Sequence, residues 1–185
     1  MPSNPEAPFP KDYRAARKAF IAACEKARTD SIARVHPTSL APDGKPLFLD
    51  SAALGPRDAG KALLVIADGA SASAAMTALL NKGVALPDGA KLVLLHAFDP
   101  FAFACVKSND RNWSRAMLAA VAREDLARVK LLKLLVLDAN DAELIKILQQ
   151  QLPAAIINRA DSRPKTVNLD AAHLLAAIDA ALSNL

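Results

Sequence analysis

The segment Lys91–Ala104, KLVLLHAFDPFAFA, begins as an apolar run and ends in a polar corner that Pro100 makes rigid. A second segment, Ala62–Ser73 (ALLVIADGASAS), also passes from an apolar run into small polar residues. Neither run alternates between apolar and polar residues, which is typical of strands covered on both faces. We therefore predict two buried strands of an α/β protein, in which ligands usually bind at the carboxyl ends of the strands.

The flanking sequence adds helices and further strands. Apolar residues at three- and four-residue spacing predict helices at Lys11–Arg28 and Leu169–Leu182. A Pro-Asp-Gly turn between the extended segments Ile32–Pro37 and Pro46–Leu54 predicts an antiparallel hairpin. The other predicted elements are a helix at Ser73–Leu80, a helix at Asn112–Lys130 with a break around Arg123–Asp125, and a helix capped by Asn140 that runs to about Leu152. Further strands are predicted at Leu132–Leu137 and Ala154–Asn158. Because strands and helices alternate in the second half, we expect a three-layer α/β/α sandwich with a mixed, mostly parallel sheet. Residues 1–10 are predicted to form a proline-rich arm, and residues 11–185 a single α/β domain.

Composition excludes several classes of function. Of the 185 residues, 52% are hydrophobic and 23% charged, which is typical of a folded globular protein. The net charge of +4 is spread along the chain without a basic run, and aromatic residues make up only 4%, so we expect no nucleic-acid partner. No apolar segment approaches the ~20 residues that span a bilayer, and the N-terminus lacks a secretory signal pattern, so we expect a cytoplasmic protein without a membrane partner. Cys24 and Cys105 lack a CxxC spacing and are predicted to be reduced, buried thiols.

Three groups of polar residues are candidates for a site. Asp68–Ser73 joins a strand to a helix, where free N–H groups favour an anion, although capping of the helix by Ser71 or Ser73 is the preferred interpretation. His96 and Asp99 follow the other strand, but no second metal-type residue is near in sequence, so a hydrogen-bonded structural histidine is the preferred interpretation there. Arg111 and Arg115 would share one face of a helix and could clamp a carboxylate or phosphate. A solvated surface cluster is the preferred interpretation of this third group.

Several segments together resemble the first half of an uncharacterised bacterial family related to zinc carboxypeptidases and succinylglutamate desuccinylases. They are Phe9-Pro-x-x-Tyr13-x-x-Ala16-Arg17, Val35-His-Pro with Asp43-Gly44, the strand Ala62–Ala67, and His96-Ala-x-x-Pro100-x-x-Phe103-Ala104. In that family the strand matching Ala62–Ala67 leads into a His-Gly-x-Glu-Gly loop whose His and Glu bind zinc. The next strand leads into Asn-Pro-x-Gly-Phe and then a substrate-recognition segment rich in Asn and Arg. The resemblance implies a zinc carboxypeptidase-like fold in the first half.

The sequence departs from that pattern where the family's chemistry lies. The zinc loop is shortened to Asp68-Gly-Ala-Ser, which contains neither zinc ligand, and Asp99-Pro100-Phe-Ala-Phe103 replaces the Asn and Gly of the second motif. Because catalytic zinc requires three protein ligands around an open position, we predict no zinc and no other cofactor.

We therefore predict a non-catalytic, degenerate relative that binds a small anionic ligand or a protein partner at the carboxyl ends of the strands. The predicted ligand-binding residues are Asp68, Ser71, Ser73, His96, Asp99 and Arg111. Two alternatives stay open. One is a metal-independent hydrolase or transferase with His96 as base, Asp99 or Asp68 orienting it, and Ser71 as nucleophile. The other is a structural subunit of a homo-oligomer.

Overall fold

A computed structural model describes residues 9–40, 44–98, 103, 111–137, 142–153, 155–160 and 167–185. Within these ranges helices and strands alternate after an initial hairpin. The helices are α1 (Phe9–Lys26), α2 (Gly69–Lys82), α3 (Arg111–Glu124), α4 (Ala142–Gln151) and α5 (Val167–Ser183). The strands are β1 (Ser31–Leu40), β2 (Pro46–Leu54), β3 (Lys61–Ala67), β4 (Ala90–His96), β5 (Leu131–Leu137) and β6 (Ile156–Ala160).

The strands of the described part form one mixed sheet in the order β1-β2-β4-β3-β5-β6. The β1–β2 and β2–β4 pairs are antiparallel, whereas β4, β3, β5 and β6 run parallel to one another. The predicted hairpin and the predicted mixed, mostly parallel sheet are confirmed. The parallel strands end at one edge of the sheet, which we call the carboxyl edge, and begin at the opposite edge, which we call the amino edge.

Helices cover both faces of the sheet. On one face α1, α2 and α5 pack against alternate residues of the central strands, such as Leu63 and Val65 of β3. On the other face α3 and α4 pack against the intervening residues, such as Leu64 and Ile66. Since successive side chains of a strand point to opposite faces, both sets must be apolar, which explains the continuous apolar runs in the sequence. The three-layer α/β/α arrangement is therefore confirmed.

Several element boundaries differ from the prediction. Helix α2 begins at Gly69 rather than Ser73, because Gly69, with φ of 80°, lets the chain turn from strand to helix directly after Asp68. Helix α3 ends at Glu124, where a break was predicted, and does not continue to Lys130. Strand β6 lies two residues later than predicted, and α1 begins two residues earlier. Such shifts of a few residues are common at element ends.

In the ranges that the structure describes, no helix combines the length and the apolar character needed to cross a membrane.

Candidate functional site

Strands β3 and β4 end side by side at the carboxyl edge, where Ala67 pairs with His96. The His96 side chain is fully buried between two helices. Its Nε2 shares a hydrogen bond of 2.5 Å with the Ser73 hydroxyl of α2, and its ring stacks on Phe20 of α1, with 4.4 Å between the ring centroids. The contacts of His96 therefore form an internal polar link between the sheet and its helices.

A buried ion pair lies beside His96. Asp50 of β2 is the cross-strand partner of His96 and is fully buried. The Arg17 guanidinium of α1 donates to both carboxylate oxygens of Asp50, at 2.7 and 2.9 Å, and its cationic carbon lies 4.2 Å from the centroid of the Phe48 ring. This bidentate geometry is the strongest form of Arg–carboxylate pairing, and it compensates the charge that Asp50 carries into the interior.

Tyr13 continues this network along α1. Its hydroxyl donates to the Phe48 carbonyl oxygen at 2.8 Å and accepts from the Phe48 N–H at 2.7 Å. Its ring also makes an edge contact with Phe103. Tyr13, Arg17, Phe20 and Cys24 follow one another at helical spacing, so a single face of α1 supplies polar and apolar contacts to β2 and β4.

Burial governs the ionisation of these groups. Loss of hydration, with a smaller contribution from the Arg17 charge, lowers the pKa of His96 to about 3, so its imidazole is neutral near pH 7. Burial raises the pKa of Asp50 above its ordinary value, although Arg17 opposes this shift. Burial also raises the pKa of Cys24 to about 11, which keeps the thiol protonated and unreactive, in agreement with the predicted buried thiol.

The predicted ligand-binding residues fall into two groups. Asp68, Ser73 and His96 meet at the carboxyl edge, but they are 6%, 2% and 0% exposed and do not line an open groove. Ser71 lies on the same helix and is half-buried. Asp99 lies outside the described residues, as does Cys105, and of Arg111 only the backbone is described, at the start of α3. Arg115 on that helix donates to Gln150 of α4 at 3.0 Å.

Two sequence interpretations of this region need correction. Ser71 and Ser73 do not cap α2, because the helix begins at Gly69 with Asp68 in the N-cap position and both serines lie inside it. The hydroxyl paired with His96 belongs to Ser73 rather than to Ser71, the nucleophile of the hydrolase alternative. Ser73 is the fifth residue of the helix, and its hydroxyl contacts His96 of the sheet instead of the helix terminus.

The residues present at this edge do not fit the zinc site that the resemblance would imply. Asp68 is the only residue between β3 and α2, so the loop contains one carboxylate and no histidine. The other two possible ligands are already engaged, because Arg17 binds both oxygens of Asp50 and Ser73 shares a hydrogen bond with Nε2 of His96. In the described ranges, no three His, Cys, Asp or Glu side chains are grouped so that they could hold a metal ion. Nδ1 of His96 has no hydrogen-bond partner among the described residues, but a single buried nitrogen cannot replace three ligands.

A surface pocket lies along α1, next to this network. Its volume is about 300 Å³, and its described lining consists of Arg14, Arg17, Lys18 and Ile21. Arg17 therefore contributes both to the internal ion pair and to the pocket wall. We call this cavity the α1 pocket.

Arg17 and Asp50 are not among the predicted site residues, although the sequence pattern indicates both. Arg17 is a charged residue on the otherwise apolar face of the α1 pattern, and Asp50 interrupts the apolar strand sequence PLFLDSAAL. A charge on each of two buried surfaces indicates an ion pair, because an isolated buried charge is strongly unfavourable.

Comparison with known proteins places most of the site within one family. The profile of the family described as "Protein of unknown function (DUF2817)" matches residues 9–113, which is more than half of the chain. This range includes Arg17, Asp50, Ser73 and His96. The comparison with curated proteins finds no match.

Solved structures show only distant similarity. Esterase LipW from Mycobacterium marinum matches with 12% identity and a TM-score of 0.43, over 91% of this chain and 61% of the esterase. Glutaminyl cyclase from Porphyromonas gingivalis matches with 13% identity and a TM-score of 0.42, over 89% of this chain and 73% of the cyclase. The chain thus spans less than two thirds of the esterase, and similarity at this level carries no information on activity.

Proposed function

The chain belongs to the DUF2817 family of unknown function, and we propose that it is a non-catalytic member that binds a small anionic ligand beside the carboxyl edge of its sheet. The observation that carries this proposal is the α1 pocket, whose described lining has three basic side chains and one apolar side chain. A degenerate, zinc carboxypeptidase-like origin is part of the proposal and rests on the sequence resemblance.

The electrostatics of the α1 pocket favour an anion. Arg14, Arg17 and Lys18 bring three basic side chains to one small cavity, in which the Arg17 charge is paired with the buried carboxylate of Asp50. The bidentate bond to Asp50 and the contact with Phe48 hold the Arg17 guanidinium in one position, so less conformational entropy is lost when a ligand binds. Ile21 offers an apolar contact for a short carbon chain.

The proposed site lies beside the carboxyl edge of the sheet, as predicted, but the residues there have other roles. Asp50 and His96 become supports that fix α1 on the sheet, and Ser73 fixes α2 there through His96. Arg14, Arg17 and Lys18 become the ligand contacts. Ser71, Asp99 and Arg111 stay predicted contacts. The absence of catalysis is supported by the burial of the Ser73–His96 pair, which a substrate cannot reach without displacement of α1 or α2.

Calorimetry of the full chain with two probes, inorganic phosphate and succinate, at low ionic strength tests the proposal. A Lys18→Glu variant should weaken binding at least about tenfold, because it reverses a charge in the pocket wall. Lys26→Glu is the matched control, since it reverses a lysine on the same helix outside the described pocket lining, and it should stay within about twofold of the wild type. Equal losses in both variants would indicate non-specific attraction, and no binding of either probe would contradict the proposal.

A metal-independent hydrolase is a second candidate because Ser73 and His96 share a hydrogen bond of nucleophile and base type. The full burial of His96 and the lack of a described partner for its Nδ1 disfavour this candidate. Hydrolysis of p-nitrophenyl acetate that disappears in Ser73→Ala, but persists in Ser71→Ala, would establish it. That result would also overturn the non-catalytic proposal.

A further inference from the structure

A second, larger pocket lies at the opposite end of the molecule. It has a volume of about 570 Å³, which is within the ~300–1,000 Å³ range of small-molecule sites. Its walls include Leu79, Leu86 and Leu182, and its polar groups include Lys82, Asp179 and Ser183. Since α2 ends at Lys82, shortly before β4 begins, this cavity lies at the amino edge, and we call it the amino-edge pocket.

Two helices direct their C-terminal ends at the amino-edge pocket. Lys82 and Gly83 form the end of α2, and Asp179, Leu182 and Ser183 lie in the last turns of α5. Each helix C-terminus is equivalent to roughly half a negative charge, and cations are therefore stabilised there. Together with the Asp179 carboxylate, the two termini favour a positively charged group at this position.

Lys82 now supplies that positive charge. Its ammonium group donates to the Asp179 carboxylate at 2.5 Å, while both side chains are more than two fifths exposed. Exposed ion pairs of this kind contribute little to stability, so the flexible Lys82 side chain can move into solvent when another cation binds. The Ser183 hydroxyl donates to the Asp179 backbone carbonyl oxygen at 2.9 Å and leaves the carboxylate to the competing cations.

The apolar walls define the rest of the ligand. Val84 and Leu86, in the segment that leads to β4, are only partly buried and give the pocket its accessible apolar surface. They pack against the hydrophobic core to which the buried Leu79 and Leu182 belong. An inorganic cation or a hydrophilic amine would leave this apolar surface unused. We propose that the amino-edge pocket binds an organic ammonium ion with an apolar body, whose ammonium group replaces Lys82 on Asp179.

Three probes with one body and different head groups test this proposal. They are 4-phenylbutylamine, which is cationic at pH 7, 4-phenyl-1-butanol, which is neutral, and 4-phenylbutyrate, which is anionic. Titrations followed by amide chemical shifts should place the amine at Val84 and Leu86 and show at least fivefold tighter binding of the amine than of the other two probes. Equal affinities, tighter binding of the anion or no binding of the amine would overturn the proposal.

Two variants with opposite expected effects sharpen the test. Asp179→Asn should weaken binding of the amine about tenfold, whereas Lys82→Met should strengthen it about threefold by removing the competing cation. Asp12→Asn on α1, an exposed change with the same loss of charge, should leave the affinity unchanged. Weaker binding in Lys82→Met would contradict the proposed exchange. The Lys18→Glu variant leaves this pocket intact, so a failure of anion binding at α1 and a failure here are separate outcomes.

Discussion

The neutral, buried imidazole of His96 should make the stability of this protein depend on pH in the mildly acidic range. In the unfolded chain the imidazole titrates near pH 6.5, whereas in the folded chain burial lowers its pKa to about 3. Between these values the unfolded state binds a proton that the folded state does not. The contribution is therefore fully present above about pH 6.5 and is lost as the pH falls towards 3.

The size of the effect follows from the distance below the unfolded pKa. Each pH unit in this window costs about 1.4 kcal/mol, so the wild type should lose about 2 kcal/mol between about pH 7.5 and pH 5 through His96 alone. Asp50 and Asp125, whose pKa values burial raises, act in the opposite direction, because the folded state then binds protons more readily than the unfolded state. A comparison with a variant that lacks only the imidazole separates the contribution of His96 from theirs.

His96→Gln is that variant, because glutamine can keep a hydrogen bond to Ser73 but does not titrate. The free energy of unfolding should be measured with urea at both pH values in both proteins. Between about pH 7.5 and pH 5 the wild type should lose about 2 kcal/mol more than the variant. The imidazole proton resonances that are missing from the spectrum of the variant belong to His96. In the wild type, the chemical shifts of these resonances should not change between about pH 5 and 8. A His96 midpoint near pH 6.5, or equal losses in the two proteins, would refute the reasoning.

Three further predictions concern the backbone and the ion pair. Arg28 lies two residues past the end of α1 with φ of 55° in a Schellman arrangement, so Arg28→Gly should raise the free energy of unfolding by about 1 kcal/mol in urea unfolding, whereas Arg28→Ala should not. Gly55→Ala should lower the stability by about 3 kcal/mol in the same assay, because the new Cβ would lie 2.5 Å from the first carbonyl oxygen of β4. Gly44→Ala, which has a positive φ but open space, should lose only about 1 kcal/mol, and similar losses in both variants would contradict the steric argument. Arg17→Met should lose about 3 kcal/mol because it leaves the Asp50 carboxylate buried without compensation, and adding Asp50→Asn should restore part of this loss in thermal unfolding.

Local patterns in the sequence determined the layers of this fold. The apolar runs of β3 and β4 do not alternate, and a strand with two apolar faces requires helices on both sides. The Pro-Asp-Gly turn likewise indicated the hairpin that makes the sheet mixed. These features depend on residues that are near one another in the chain, and for that reason the sequence alone was sufficient to predict them.

The position of α2 shows where local reasoning was insufficient. Ser71 and Ser73 favour a helix N-cap by their chemistry, yet Gly69 turns the chain earlier and places both serines inside the helix. The side chain of Ser73 then finds a partner in His96, which is 23 residues away in sequence. Propensity gives the preference of a residue, but contacts made across the fold decide which preference is satisfied.

The sequence by itself thus determined the α/β architecture, the strand at KLVLLH and the polar character of the corner that follows it. Only the tertiary structure decided that His96 is enclosed rather than presented to a ligand, because Phe20 and Arg17 come from a helix more than 70 residues earlier. The same packing joined Arg17 to Asp50 and brought the ends of α2 and α5 to one pocket. Hydrophobic periodicity acts within one element, whereas burial, ionisation and pocket formation depend on which elements pack together.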